Sequence, residues 1–374
     1  MINNSLQGSL QEAIRSALGC ANTFEGDLHA LCDLYGVASG HQDARLIGAA
    51  QKHDSTISTA SGALNYFLLN PSVLPTFGLN FVDGTDTLDS RVTFTRASSG
   101  TRFNSSGTLV TMASNQPRFD CDPVTLAIRG LLIEEQRTNL LLQSAAFDNA
   151  SWTKTNATVT ANNVNAPDGA TTAEMITDSA DGAATSHSVN QSINFTSGTA
   201  YTLSVFAKQG TLAGSVLLFP SAAFTSNITA RFDLSAGTVA ATDAGVAATI
   251  SAVGNGWYRC TATATATATA AGLLQIRTAT AASSFYQGAG AGAIYIWGAQ
   301  LEAGSSARTY IPTTTASATR AVDSAQFTIP SGVVRLTYTF DDNSTQNVAV
   351  TAGSYTIPTT LNRQRIRTIA GWTT

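Results

Sequence analysis

Residues 256–270 read GWYRCTATATATATA. Strict alternation repeats every two residues, the period at which successive side chains of a β-strand point to opposite faces. Thr261, Thr263 and Thr265 then share one face, and Ala262, Ala264 and Ala266 the other. Threonine suits an extended backbone because its branched Cβ restricts χ1. Alanine is small enough to let a second sheet approach closely. The run is therefore a strand of a packed sheet, not a disordered low-complexity tract.

The same period extends outward in both directions. ATVTA, AYTLSVFAK, GSVLLF, ITARFDL, ATISAV, GLLQIRTAT and AIYIWGAQLE are separated by Gly, Asn, Asp and Ser at intervals of about 8–15 residues. That rhythm predicts an antiparallel β-sandwich of jelly-roll type over residues 140–311. Upstream, RVTFTR alternates, and RFNSSGTLVTMAS reads as a hairpin turning at Ser106-Gly107. Residues 76–139 thus form a β-rich connecting region. Downstream, the Thr/Ser/Ala stretch 312–325 reads as a linker. Residues 326–374 read as a small C-terminal β module with turns at Asp341-Asp342-Asn343 and Ala352-Gly353-Ser354.

Residues 1–75 have a different character. In SLQEAIRSALG, Ser9 and Glu12 make a capping box, Leu10, Ala13, Ile14, Ala17 and Leu18 share a helical face, and Gly19 ends it. GDLHALCDLYG repeats the scheme. Such short helices bury only a small core, so the region is expected to dock on a neighbour. The overall fold class is mainly β, with a short helical N-terminal region.

Of 374 residues only 12% are charged, about half the usual share, and the net charge is −4. That balance excludes a broad electrostatic grip on nucleic acid or an anionic membrane. No run of about 18 apolar residues could span a bilayer, and the N-terminus lacks the basic start and apolar core of a signal peptide. Cys20, Cys32, Cys121 and Cys260 have neither CxxC nor zinc spacing, and buried, idle thiols are expected. His29, His41 and His53 build no metal site, and His187 reads as a polar loop residue. No cofactor is implied. The loop carboxylates Asp148, Asp168, Asp178 and Asp181 leave a structural calcium open, without diagnostic spacing.

The densest charge beside apolar sequence is GLLIEEQRTNLLLQS, residues 130–144. Adjacent Glu134 and Glu135 cannot readily flank one glycosidic bond at about 5–9.5 Å. They read instead as part of a structural joint with Arg137 and Asn139, locked by charge-assisted hydrogen bonds. No P-loop, GxGxxG, HExxH or GxSxG pattern occurs, and the chain is expected not to be an enzyme. Trp257, Tyr258, Tyr295 and Trp297 lie within strands and are expected in the core. Trp152, Phe224, Phe285 and Tyr286 lie near polar loops and are the candidate platform for stacking on a sugar ring. Arg363, Arg365 and Arg367 alternate, and are expected to pair with Asp341 and Asp342 rather than with nucleic acid.

The stretch GLLIEEQRTNLLLQSAAFDNASWTKTNATVT resembles a junction of tailed-bacteriophage structural proteins that opens a carbohydrate-binding-module-like jelly roll. GWYRCTATAT and AIYIWGAQLEAGSSARTYIPTTTASATRAVD look like its later strands and exit, so the resemblance covers roughly residues 85–323. It implies a virion component, a tail fibre, tailspike or minor tail protein, assembled in the host cytoplasm and released by lysis. It further implies a homotrimer and contact with host surface polysaccharide, while attachment to other virion proteins through residues 1–75 is expected from the size and position of that region. The alternatives are a tailspike polysaccharide depolymerase and an architectural head or collar fibre.

Overall fold

The computed structural model describes residues 75–373 apart from Ala281. The expected N-terminal helices, with Cys20, Cys32 and the first three histidines, fall outside the described residues. Within them the chain is all β.

Seven strands lead in: β1 (Phe77–Asn80), β2 (Thr93–Thr95), β3 (Gly100–Phe103), β4 (Leu109–Met112), β5 (Phe119–Cys121), β6 (Ile128–Leu132) and β7 (Arg137–Asn139). The next twelve form the sandwich. They are β8 (Thr153–Thr155), β9 (Ala157–Val164), β10 (Ala173–Asp178), β11 (Ser188–Phe195), β12 (Ala200–Gln209) and β13 (Gly214–Phe219). They continue with β14 (Ile228–Asp233), β15 (Thr238–Thr242), β16 (Ala247–Ala252), β17 (Trp257–Thr265), β18 (Ala270–Ala279) and β19 (Ala293–Ala303). Six strands close the chain: β20 (Ala318–Arg320), β21 (Ser324–Ile329), β22 (Arg335–Phe340), β23 (Thr345–Ala349), β24 (Gly353–Thr356) and β25 (Arg365–Trp372).

The sandwich has two antiparallel six-stranded sheets, ordered β16-β17-β12-β19-β10-β9 and β15-β14-β13-β18-β11-β8. From β10 to β13, and again from β17 to β19, successive strands lie in alternate sheets, the crossing pattern of a jelly roll. Leu203, Val205, Leu217, Phe219, Leu274 and Ile296 fill the space between them. Ala262, Ala264 and Ala266 are buried in that core, as the alternation predicts. On the outer face Thr263 lies opposite Thr202, and their hydroxyls meet at 2.8 Å.

The outer units differ from the sequence expectation. β25 pairs with β22, β6 and β1, and β21 pairs with β2. The chain segments on either side of the sandwich therefore share their sheets, and Phe77, Phe119, Leu131, Phe327, Tyr338 and Ile369 share one core. Residues 76–139 are not a separate connector, nor are residues 326–374 a separate module. Period two fixes which face a side chain takes, but not which distant strand its backbone will pair with. Gly130 marks the contact: at φ +111 a Cβ there would stand 2.1 Å from the Ile366 carbonyl oxygen. Residues 312–325 are not a free linker either, because β20 pairs with β7 and Asp323 is buried.

Candidate functional site: a charged seam between the two units

Glu134, two residues past β6, carries a nearly inaccessible carboxylate at 2% exposure. Its Oε1 accepts the Thr309 amide at 2.9 Å, and its Oε2 the Thr309 hydroxyl at 2.7 Å. The same Oε2 lies 2.9 Å from the Arg118 guanidinium and 3.5 Å from that of Arg320. Asp323, also buried, meets Arg118 at 2.5 Å, Arg96 at 3.2 Å and Arg320 at 3.7 Å. Several further donors go to carbonyls: Arg96 donates to Ser98, Ala113 and Gln116, Arg118 to Thr101, and Arg320 to Glu135, while Nε of Arg118 and of Arg320 has no acceptor.

Buried charges persist only when paired, and every charge of this cluster faces an opposite one. Burial opposes ionisation of Glu134, yet Arg320 and Arg118 together with Thr309 hold its carboxyl well below the usual carboxylate range. Burial works against the Arg118 charge too, but Glu134 and Asp323 raise it above its ordinary value. For Arg96 and Arg320 burial wins, and both are drawn down.

Beside this cluster runs a more accessible one. Glu135 pairs with Arg137 at 2.6 Å and with Arg308 at 2.8 Å, and Arg137 donates to the Ala303 carbonyl at 2.6 Å. Gly304 lets Arg137 lie flat on the backbone, since a Cβ there would meet its guanidinium at 2.5 Å. Asn139 is fully buried and uses both ends of its amide. Its Nδ2 donates to Ala299 and Ile311, and its Oδ1 accepts from Leu141 and Leu301. Such a side chain is satisfied at every hydrogen-bonding position.

The structure thus brings Glu134, Glu135, Arg137 and Asn139 to one place, where the two β units meet. Sequence reasoning missed Arg96, Arg118, Arg308, Thr309, Arg320 and Asp323. The last four stand in SSARTYIP and ATRAVD, quoted above for another reason. RVTFTR and QPRFDC carry no signal that their arginines would be buried.

The four aromatic candidates are not brought together as an exposed platform. Trp152 is 1% exposed, packs on Phe147 and donates Nε1–H to the Gln143 carbonyl. Phe224 is 2% exposed, among Phe195 and Phe219. Both fill the sandwich core, because proximity to polar loops in sequence does not keep a large ring out of an adjacent core. Phe285 is 55% exposed beneath the Arg277 guanidinium, while Tyr286 is half-buried against His187. His187 stands in the loop just before β11, as expected, but is buried, with Nδ1 2.7 Å from the Asn156 carbonyl and Nε2 3.4 Å from Asp181. Trp257 and Trp297 are buried with Phe206 and Tyr310, and Cys121 and Cys260 are buried free thiols.

Arg363 pairs with Asp341 and Asp342, but Arg365 reaches Asp120 of β5 and Arg367 reaches Asn343. Among the described residues no group of three or more His, Cys, Asp or Glu side chains could hold a metal ion, and no helix is long and apolar enough to cross a membrane.

No family model and no curated protein matches the chain. Among solved structures it is similar to the enzymatically active domain of tailspike protein 4 of bacteriophage CBA120. The identity is 18% and the TM-score 0.26, over 44% of this chain and 21% of that one. The chain therefore spans about a fifth of the length of the structure it matches. Because that structure is described as enzymatically active, the expectation that this chain is not an enzyme is withdrawn. At so low a TM-score the likeness supplies no reaction or substrate in its place.

Proposed function

We propose that the chain is a tail component of a bacteriophage virion, of the fibre, tailspike or minor tail protein kind. In this reading the seam holds the sandwich in a fixed attitude to the unit that precedes and follows it. The observation that carries it is the buried set of Glu134, Asp323, Arg96, Arg118 and Arg320, which ties chain segments far apart in sequence. The motif residues that resemble phage structural proteins, Glu134, Arg137 and Asn139, have their partners within this seam. A projecting protein under mechanical load needs such a joint, since interfaces between domains otherwise permit relative motion.

The same reading gives residues 1–75 the role of docking on other virion proteins. It makes the assembly a homotrimer, with contact to host surface glycans through the sandwich unit or the seam. Labelled antibody on purified particles, read by electron microscopy, tests the assignment: label on the tail is expected. Label on the head or collar, or none on intact particles, would overturn it. Light scattering of the full chain is expected to give three times the monomer mass.

A further inference from the structure

The seam is closed around Glu134 and Asp323 but open along one side. There a cleft of about 400 Å3 separates the outer face of β16 and β17 from the neighbouring unit. That volume lies within the range of small-molecule sites. Thr249, Ser251 and Arg259 line it from the sandwich, Arg129 and Arg365 from the other unit, and Ser306 from the chain after β19. Three guanidinium groups reach the cleft, and no aspartate or glutamate lines it.

The arginines are held from behind. Asp122 pairs with Arg129 and Asp120 with Arg365, each at 2.5 Å. Arg259 lies 5.5 Å above the Phe206 ring and donates to the Ser204 hydroxyl at 3.0 Å. Burial draws its guanidinium below the ordinary value, against the opposing charges of Glu302 and Glu134. An anion complements a wall on which three guanidinium groups and no carboxylate stand, and a guanidinium fork matches a carboxylate in shape.

The rest of the lining narrows the ligand further. The wall carries a ladder of threonine and serine hydroxyls, each able both to donate and to accept. Such a wall matches a ligand bearing several hydroxyls of its own. Phe103 and Val253 add apolar surface for its C–H faces. We infer that the cleft binds an acidic saccharide, with its carboxylate among Arg129, Arg259 and Arg365 and its hydroxyls against the Thr249–Ser251 wall. The bound sugar bridges the two units. This inference rests on the glycan contact proposed above and names its place and chemistry; it would stand even if the particle labelling placed the chain elsewhere on the virion.

The test is calorimetric titration of the full chain with D-glucuronate, D-glucose and inorganic phosphate, each separately. Glucuronate is expected to bind at least about tenfold more tightly than either of the others, the least that one added charge-assisted hydrogen bond gives. Equal binding of phosphate or glucose, or no glucuronate binding, would overturn the inference. Arg259→Gln should abolish binding, but it also disturbs a packed side chain. Arg129→Gln and the cleft-filling Thr249→Phe, both away from the core, are therefore compared with it. Each should weaken glucuronate at least about tenfold while leaving the unfolding temperature unchanged. Full affinity retained in both variants sinks the proposal.

Discussion

Glu134 and Asp323, 189 residues apart, exchange hydrogen bonds: the Glu134 amide donates to the Asp323 carboxylate at 2.8 Å, and the Asp323 amide donates to the Glu134 carbonyl at 2.9 Å. Each then turns its side chain to the same Arg118 guanidinium. Two chain segments are thus joined at backbone and charge together. This pair makes the seam a single cooperative element rather than a set of independent surface bridges.

Removing one buried member should therefore be costly. Asp323→Asn leaves Arg96 and Arg118 facing a neutral amide in a site closed to water. A loss of about 3–5 kcal/mol is expected from urea unfolding of the full chain. Arg137→Ala, at the accessible rim of the seam, should cost only about 1–2 kcal/mol. Equal losses from the two variants would show that burial does not set the cost.

Acid should loosen the same seam. The folded carboxyl of Glu134 is depressed below its ordinary 4.5. Its contribution to stability is then present above pH 4.5 and is lost as pH falls toward the lower folded value. Unfolding temperature measured from pH 6 down to pH 2 should drop steeply below about pH 4.5, with a shallower fall in Glu134→Gln.

Glu174 should act in the opposite sense. It is buried, and burial followed by the nearby Asp148 charge raises its carboxyl from 4.5 to about 7. Between those values the folded state holds a proton that the unfolded state has released, so stability falls as pH rises through this window. The loss approaches about 3 kcal/mol above pH 7. Glu174→Gln keeps an acceptor for the Asp148 amide and should remove that slope, leaving the variant the more stable protein at pH 8 by thermal unfolding.

The alanine row is a packing constraint that can be tested alone. Ala264 faces the sandwich core beneath the partner sheet. Ala264→Leu should destabilise by about 1–3 kcal/mol through overpacking. Thr263→Val, on the outer face, should cost less. A neutral result for Ala264→Leu would mean that the two sheets have room to spare.

Much of this was legible in the sequence. The alternation in GWYRCTATATATATA gave the strand and the face of each residue as far as Thr265, because side-chain direction is a local property of an extended backbone, but not the turn at residues 266–269 that leads into β18. The hairpin at Ser106-Gly107 was equally local, and Gly107 takes the positive φ of 72 that such a turn requires. Aromatic residues were harder. Trp152 and Phe224 sit beside polar loops in sequence but inside the core in space, since exposure depends on what packs above a residue.

By itself, the sequence determined the β class, the strand at Trp257–Thr265 and the dense polar knot at residues 134–139. Only the tertiary structure decided that β1, β6 and β25 share a sheet, and that Arg96, Arg118, Arg320 and Asp323 surround Glu134. Periodicity is written along the chain. Strand pairing and burial of charge depend instead on contacts between segments hundreds of residues apart, which no local pattern encodes.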